Sequence, residues 1–329
     1  MGDTDTMALF DNTFMGYEDP RPSGARGLRR LLSRHPREAD LTRRRFRPGP
    51  AQARLEDTEM SHVLGFNALL AEELDLIEEL PHSLRGSGYE GAATACATLD
   101  LLTPGPARNL AGLLAGPAAG YRQSVYFGAG RARARLRLSP MWGMRAAHPL
   151  QRWFALDGYA FQRALTGADR LVGEQRAPRL GSGSERAIFD MGLGRLLWFH
   201  DCAVPDAVAE RVTAFPANRR PDLWGGVGYA AAAVGGADAA GLERLVTYAT
   251  LAGFQAHLAQ GAAFAAAAML AAGPLPERGA ETVQALTGTD AEEAGAWPVA
   301  AAGLLGRDPH SAEDFRAWLA HTREAWLKR

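Results

Sequence analysis

The sequence predicts an all-α fold of stacked helical hairpins with a period near 34 residues, a tetratricopeptide-like α-solenoid or closed helical array. Three observations carry this. Small apolar runs recur around glycines 91, 128, 158, 192, 226, 261 and 295, at intervals of 37, 30, 34, 34, 35 and 34 residues. That spacing matches one helix-turn-helix unit, which buries its apolar face only by stacking on a neighbour. The glycines lie inside uninterrupted apolar stretches such as Ile188–Phe199. A helix-interior glycine costs about 1 kcal/mol relative to alanine, so a row of them marks places where another backbone passes close by. Stop and start signals then separate two helices per unit.

Taken in order, residues 1–59 read as a polar, arginine-rich N-terminal arm and 60–329 as a single helical-repeat domain. The first twenty residues are mixed and polar, as poorly ordered termini are. Eleven arginines fall between Arg21 and Arg54, and eight acids with no lysine or arginine between Leu55 and Leu80. Adjacent segments of opposite sign neutralise each other most simply by folding together. A basic arm for a phosphate-bearing partner is the other reading. Met60–Leu80 reads as one amphipathic helix through Val63, Phe66, Leu69 and Leu70, and the repeats begin at about Leu84. Ser139–His148 and Gly167–Gly183 are inserts, the second expected as a mobile surface loop. Gly235-Gly236-Ala237-Asp238 is a helix stop followed by an N-cap. Thr289 to Glu292 has capping-box spacing. Ser311 caps a last amphipathic helix that closes the stack.

The chain has 329 residues, 47% of them apolar, and a net charge of −1. No global field points to nucleic acid. The longest apolar run, Ala262–Leu275, is too short and too alanine-rich to enter a bilayer directly. The acidic N-terminus lacks the basic region of a secretory signal, so a cytoplasmic protein is expected. Cys96 and Cys202 read as reduced core thiols. Arginine replaces lysine everywhere except Lys328.

Polar residues precede the anchor glycines: Glu90, Asp157, Asp190 and Gln260. A carboxylate inside an apolar helix must pair or shift its pKa. These acids therefore either brace neighbouring hairpins or face a groove. The groove reading takes Asp157, Asp190 and Arg220 as candidate catalytic groups. Tyr126, Tyr159, Phe161, Arg195, Trp198, Asp222 and Trp224 then contact the ligand, because a few convergent polar groups within aromatic walls make a ligand site. His200-Asp201-Cys202 is no triad, since sequential neighbours on a helix point apart. The histidines show no metal spacing, and Phe127-Gly128-Ala129-Gly130 lacks the third glycine and the strand of a dinucleotide site. No metal and no cofactor is expected.

The ordered motifs Tyr89-Glu-Gly-Ala-Ala, Tyr126-Phe-Gly-Ala-Gly, Trp153-Phe-Ala-Leu-Asp-Gly-Tyr-Ala-Phe, Phe189-Asp-Met-Gly-Leu-Gly-Arg-Leu-Leu-Trp-Phe, Phe215-Pro-Ala-Asn-Arg-Arg-Pro-Asp-Leu-Trp-Gly-Gly-Val-Gly and Ala259-Gln-Gly-Ala-Ala-Phe resemble one bacterial family. It is a domain-of-unknown-function family carried in enediyne antibiotic gene clusters beside the iterative polyketide synthase. The resemblance runs from about Leu28 to Gly273. It implies an accessory protein that binds the synthase's linear, apolar polyene and helps convert it to the enediyne core. A cyclisation or oxidative-tailoring enzyme, or a scaffold docking the synthase and neighbouring cluster proteins, are the other roles it admits. The family supplies no settled catalytic residues. An apolar residue or tryptophan commonly follows its Phe-Gly-Ala-Gly motif. Arg131, Arg133, Arg135 and Arg137 depart from that and imply a more exposed helix here.

Overall fold

The structure is a computed structural model that describes residues 27–103, 108–144 and 148–329. Every regular element among the described residues is helical, and they include no strand. The longer helices are α1 (Gln52–Ala71), α2 (His82–Leu102), α3 (Asn109–Ala115), α4 (Arg122–Arg135), α5 (Phe154–Thr166), α6 (Gly183–His200) and α7 (Pro205–Ala214). They are followed by α8 (Arg220–Val234), α9 (Ala239–Leu251), α10 (Gln255–Ala272), α11 (Glu277–Thr287), α12 (Ala291–Ala302) and α13 (Ala312–Leu327).

The anchor glycines are crossing points. A Cβ on Gly91 would collide with the carbonyl oxygen of His62, on Gly128 with that of Glu90, and on Gly158 with that of Phe127. Gly192 meets the carbonyl of Asp157, Gly226 that of Met191, and Gly261 that of Gly225. One rule covers the series from Gly128 to Gly261: each anchor glycine sits on the carbonyl of the residue just before the previous anchor. The crossings thus run α1, α2, α4, α5, α6, α8, α10 without a break. Gly130, Gly194 and Gly228, two residues further on, receive the carbonyls of Ala155, Leu223 and Leu258 from the following helix. Each Gly-x-Gly therefore packs backward with its first glycine and forward with its second. Gly295 is looser, meeting Leu270 Cδ1 at 2.8 Å and the Ala267 amide nitrogen at 3.2 Å. The row begins one helix earlier than expected, because Gly65 of α1 already sits on the Gly88 carbonyl.

The row curls back on itself. Phe127 of α4 meets Tyr229 of α8 edge to face at 5.4 Å, and Phe154 of α5 meets Phe264 of α10 at 6.0 Å. Arg54 Nε donates to the Val234 carbonyl at 2.9 Å. Phe315 and Trp318 of α13 close on Phe154 at 5.1 and 5.9 Å. A second helix follows α2, α6, α8, α10 and α12, whereas after α4 and α5 only inserts intervene.

Several local expectations change. Positions 59 and 60 lie within one helix, because α1 starts at Gln52. It also ends at Ala71 rather than Leu80. Glu72 takes a left-handed backbone (φ 66°), and its N–H bonds back to Ala68 and Leu69. The turn that follows drops Ile77 and Leu80 into the core against Leu84 and Tyr89. The arginine-rich segment does fold onto α1. The Arg34 guanidinium lies over the Phe66 ring at 3.6 Å, the Arg34 backbone exchanges two hydrogen bonds with the Asn67 side chain, and Arg29 pairs with Glu72 at 2.7 Å. Residues 1–26, including the polar first twenty, lie outside the described residues, as do 145–147 of the first insert. The second insert is packed: Leu171 and Val172 are buried, and Gln175 bridges to the Ala214 carbonyl. Asp238 and Ser311 cap α9 and α13, the latter in a capping box with Asp314. The cap of α12 is Asp290 rather than Thr289.

Candidate functional site

The residue before each anchor glycine is fixed in direction by its own carbonyl, which is pressed on the next helix. Glu90, Phe127 and Asp157 hold equivalent places on α2, α4 and α5. Their side chains meet one buried ionic network. Arg131 of α4 forms two parallel bonds to Glu59 (3.0 and 2.7 Å), a third to Glu90 Oε1 (3.0 Å) and a fourth from Nε to Gln162 Oε1 (3.0 Å). Arg195 of α6 donates to Asp157 Oδ1 at 2.6 Å and lies 3.6 Å from Glu90 Oε2. Its guanidinium stacks over Phe127 at 3.8 Å, with Tyr229 and Phe161 at 5.1 and 5.2 Å. His62 of α1 is 3.9 Å from Glu90 Oε1 and accepts from Arg34 at 3.2 Å. All are buried.

Burial works against every charge here, and the partners decide the outcome. Although desolvation opposes it, Arg131 is held above its ordinary value by Glu59 and Glu90. Desolvation opposes the charge on Glu59, but Arg131 together with Arg44 and Arg34 outweighs it and lowers the carboxyl. Burial pushes Asp157 up to about 6 against the pull of Arg195. Burial, reinforced by Arg131 and Arg34, drives His62 well below its usual range, so its imidazole is neutral.

Above this network lies a cavity of about 670 Å³, between α1, α2, α4, α8 and α10. Its polar base is Glu59, His62, Glu90, Arg131 and Arg195, and its apolar wall includes Phe127, Phe161, Phe199, Tyr229, Ala233 and Met269. Ligand sites commonly have this size and division. Among the described residues no three His, Cys, Asp or Glu side chains are grouped to hold a metal ion.

The expected site residues separate into three groups. Phe161 and Arg195 line the cavity, and Asp157 touches it through Arg195. Asp190 lies elsewhere. It stands two residues before Gly192 rather than one, and one helical residue is about 100° of rotation, so Met191 takes the place equivalent to Asp157. Asp190 turns instead to Arg219, which grips both its oxygens at 2.9 and 2.5 Å. Asp222 is beside that pair, pushed up to about 6 by burial and by the Asp190 charge. Arg220 donates to the Phe215 carbonyl at 2.7 Å. Tyr126 accepts from the His148 amide, and Trp198 donates to the Gly235 carbonyl. Tyr159 and Trp224 are core residues. None of these last seven lines the cavity. Gln260 accepts from Arg323 at 2.5 Å.

Five network residues were not among the expected site residues: Arg34, Glu59, His62, Arg131 and Gln162. Arg131 and Arg133, expected on an exposed helix, are 3% and 4% exposed. Arg131 stays charged there because Glu59, 72 residues away, neutralises it. An arginine directly after a Gly-x-Gly crossing was the available signal. His200 is the last residue of α6 and contacts Asp201 at 3.1 Å, and both cysteines are buried free thiols.

The family model described as "Protein of unknown function (DUF1702)" matches residues 25–324, nearly the whole chain. The chain belongs to the DUF1702 family. In this DUF1702 chain the match takes in every crossing helix and the whole ionic network. No curated protein and no solved structure matches it. No helix among the described residues is long and apolar enough to cross a membrane.

Proposed function

We propose that this protein binds the linear conjugated polyene of an iterative polyketide synthase and holds it for conversion to the enediyne core, in the cytoplasm beside that synthase. The observation that carries the reading is the cavity of about 670 Å³, whose wall is largely aromatic and aliphatic and whose base gathers Glu59, Glu90, Arg131 and Arg195. A conjugated chain gains from burial against such a wall and can meet the charged base only through a polar terminus. The motif resemblance supplies the pathway. A cavity of this kind supports ligand binding over scaffolding alone, though docking to the synthase or a neighbouring cluster protein is compatible with it. A tailoring enzyme that uses Asp190 or Arg220 draws no support from the geometry, because neither side chain reaches the cavity.

The test is genetic. Deleting the gene in its producer should abolish the enediyne core and leave linear polyene-derived material to accumulate. The unaltered gene should restore production, and Ala233→Trp, which fills the cavity from its partly exposed wall, should not. Unchanged titre after deletion contradicts the reading, as does full rescue by the filled variant.

A further inference from the structure

We propose that the inner end of the cavity holds an uncharged carbonyl oxygen, so that the ligand is a polyene with a neutral oxygen end group rather than a plain hydrocarbon or a carboxylate. The inference rests on the polyene reading above and specifies its end group.

Two donors there have no protein acceptor. A guanidinium can only donate, so the 3.2 Å contact from Arg34 to His62 Nε2 makes that nitrogen the acceptor and places the imidazole proton on Nδ1. His62 Nδ1 is buried without a hydrogen-bond partner, and Glu90 Oε1 at 3.9 Å is too distant to serve. His62 is 1% exposed and lines the cavity. Buried donors are seldom left unmade. The second donor is the Tyr229 hydroxyl, which makes no hydrogen bond among the described residues and lines the same cavity, its ring beside Arg195. His62 stands beside Glu90, and Tyr229 beside Arg195.

Charge selects the acceptor. Within the hydrogen-bonded network Arg34, Arg131 and Arg195 face Glu59, Glu90 and Asp157, so its formal charges cancel. A carboxylate brought beside Glu90 would be an uncompensated buried anion, which is strongly disfavoured. A ketone, aldehyde, ester or thioester oxygen can accept from either donor and adds no charge.

Fluorescence titration of the full chain at pH 8 would use three linear tetraenes: the methyl ester of trans-parinaric acid, the parinarate anion, and a tetraene hydrocarbon of the same length. The ester should bind about fivefold or more tightly than either of the others, the range that one or two net hydrogen bonds provide. Tyr229→Phe and His62→Phe should each shrink that ratio, with melting temperatures recorded alongside. Tyr229→Phe removes no protein–protein hydrogen bond, so it keeps the test valid even where His62→Phe strands Arg34 and unfolds. Equal affinity for ester and hydrocarbon overturns the end-group inference and leaves polyene binding standing. Tightest binding of the anion, or a ratio unchanged in Tyr229→Phe, overturns it too. Failure of all three probes to bind overturns the polyene reading and this inference with it.

Discussion

Each buried charge in this protein has its own set of partners, and the sets predict different costs. Arg131 serves two carboxylates, so Arg131→Leu takes from Glu59 its bidentate partner and leaves Glu90 only the longer contact to Arg195, and should cost about 3–5 kcal/mol. Asp190→Asn strands Arg219, which has no second carboxylate in contact among the described residues. Asp157→Asn should be milder than either, because Glu90 still faces Arg195 at 3.6 Å. Chemical denaturation of the three variants gives the order, and an Asp157→Asn loss equal to that of Arg131→Leu would contradict the shared-partner account. Asp222 behaves in the opposite way. Burial and Asp190 raise it from 3.8 to about 6. A carboxyl with a raised folded pKa contributes stability below its unfolded pKa and loses it as pH rises through the folded one. Asp222→Asn should therefore stabilise the protein at pH 8, by on the order of 1–2 kcal/mol, with the gain vanishing below about pH 4. Melting curves at pH 4 and pH 8 check this, and a variant less stable than the parent at pH 8 would show Asp222 to be a brace.

At the scale of elements, the crossings rest on missing side chains, and neighbouring glycines separate cause from composition. A Cβ on Gly226 strikes the Met191 carbonyl, whereas one on Gly225 meets nothing nearer than 3.5 Å. Gly226→Ala should destabilise by roughly 2–4 kcal/mol through forced separation of α6 and α8. Gly225→Ala should be neutral or gain up to about 1 kcal/mol of helix propensity. Similar melting temperatures for the two would refute the crossing geometry. This level was the most legible in the sequence, because a backbone contact demands the local absence of a Cβ and glycine records it directly. Helix ends were less so: Glu72 stops α1 in a left-handed conformation that glycine usually takes.

The whole molecule decides what the sequence could not. Arg131 and Glu59, or Phe127 and Tyr229, become neighbours only because the row of helices curls until α1 and α4 face α8. Nothing local in Arg131 announces a partner 72 residues earlier, so it read as an exposed departure. Nor does anything local choose Arg219 over Arg220 for Asp190, since adjacent residues differ only by rotation about α8. Asp157 and Arg195 were each singled out in the sequence, and they meet because their helices are consecutive in the row. The same curl produces the cavity, on which the functional account depends. The most direct measurement is equilibrium binding of a fluorescent linear polyene to the purified full chain and to Ala233→Trp, with melting temperatures of both. Saturable binding by the parent and its loss in an equally stable Ala233→Trp is the predicted result. No binding by the parent, or equal binding by both proteins, would contradict it.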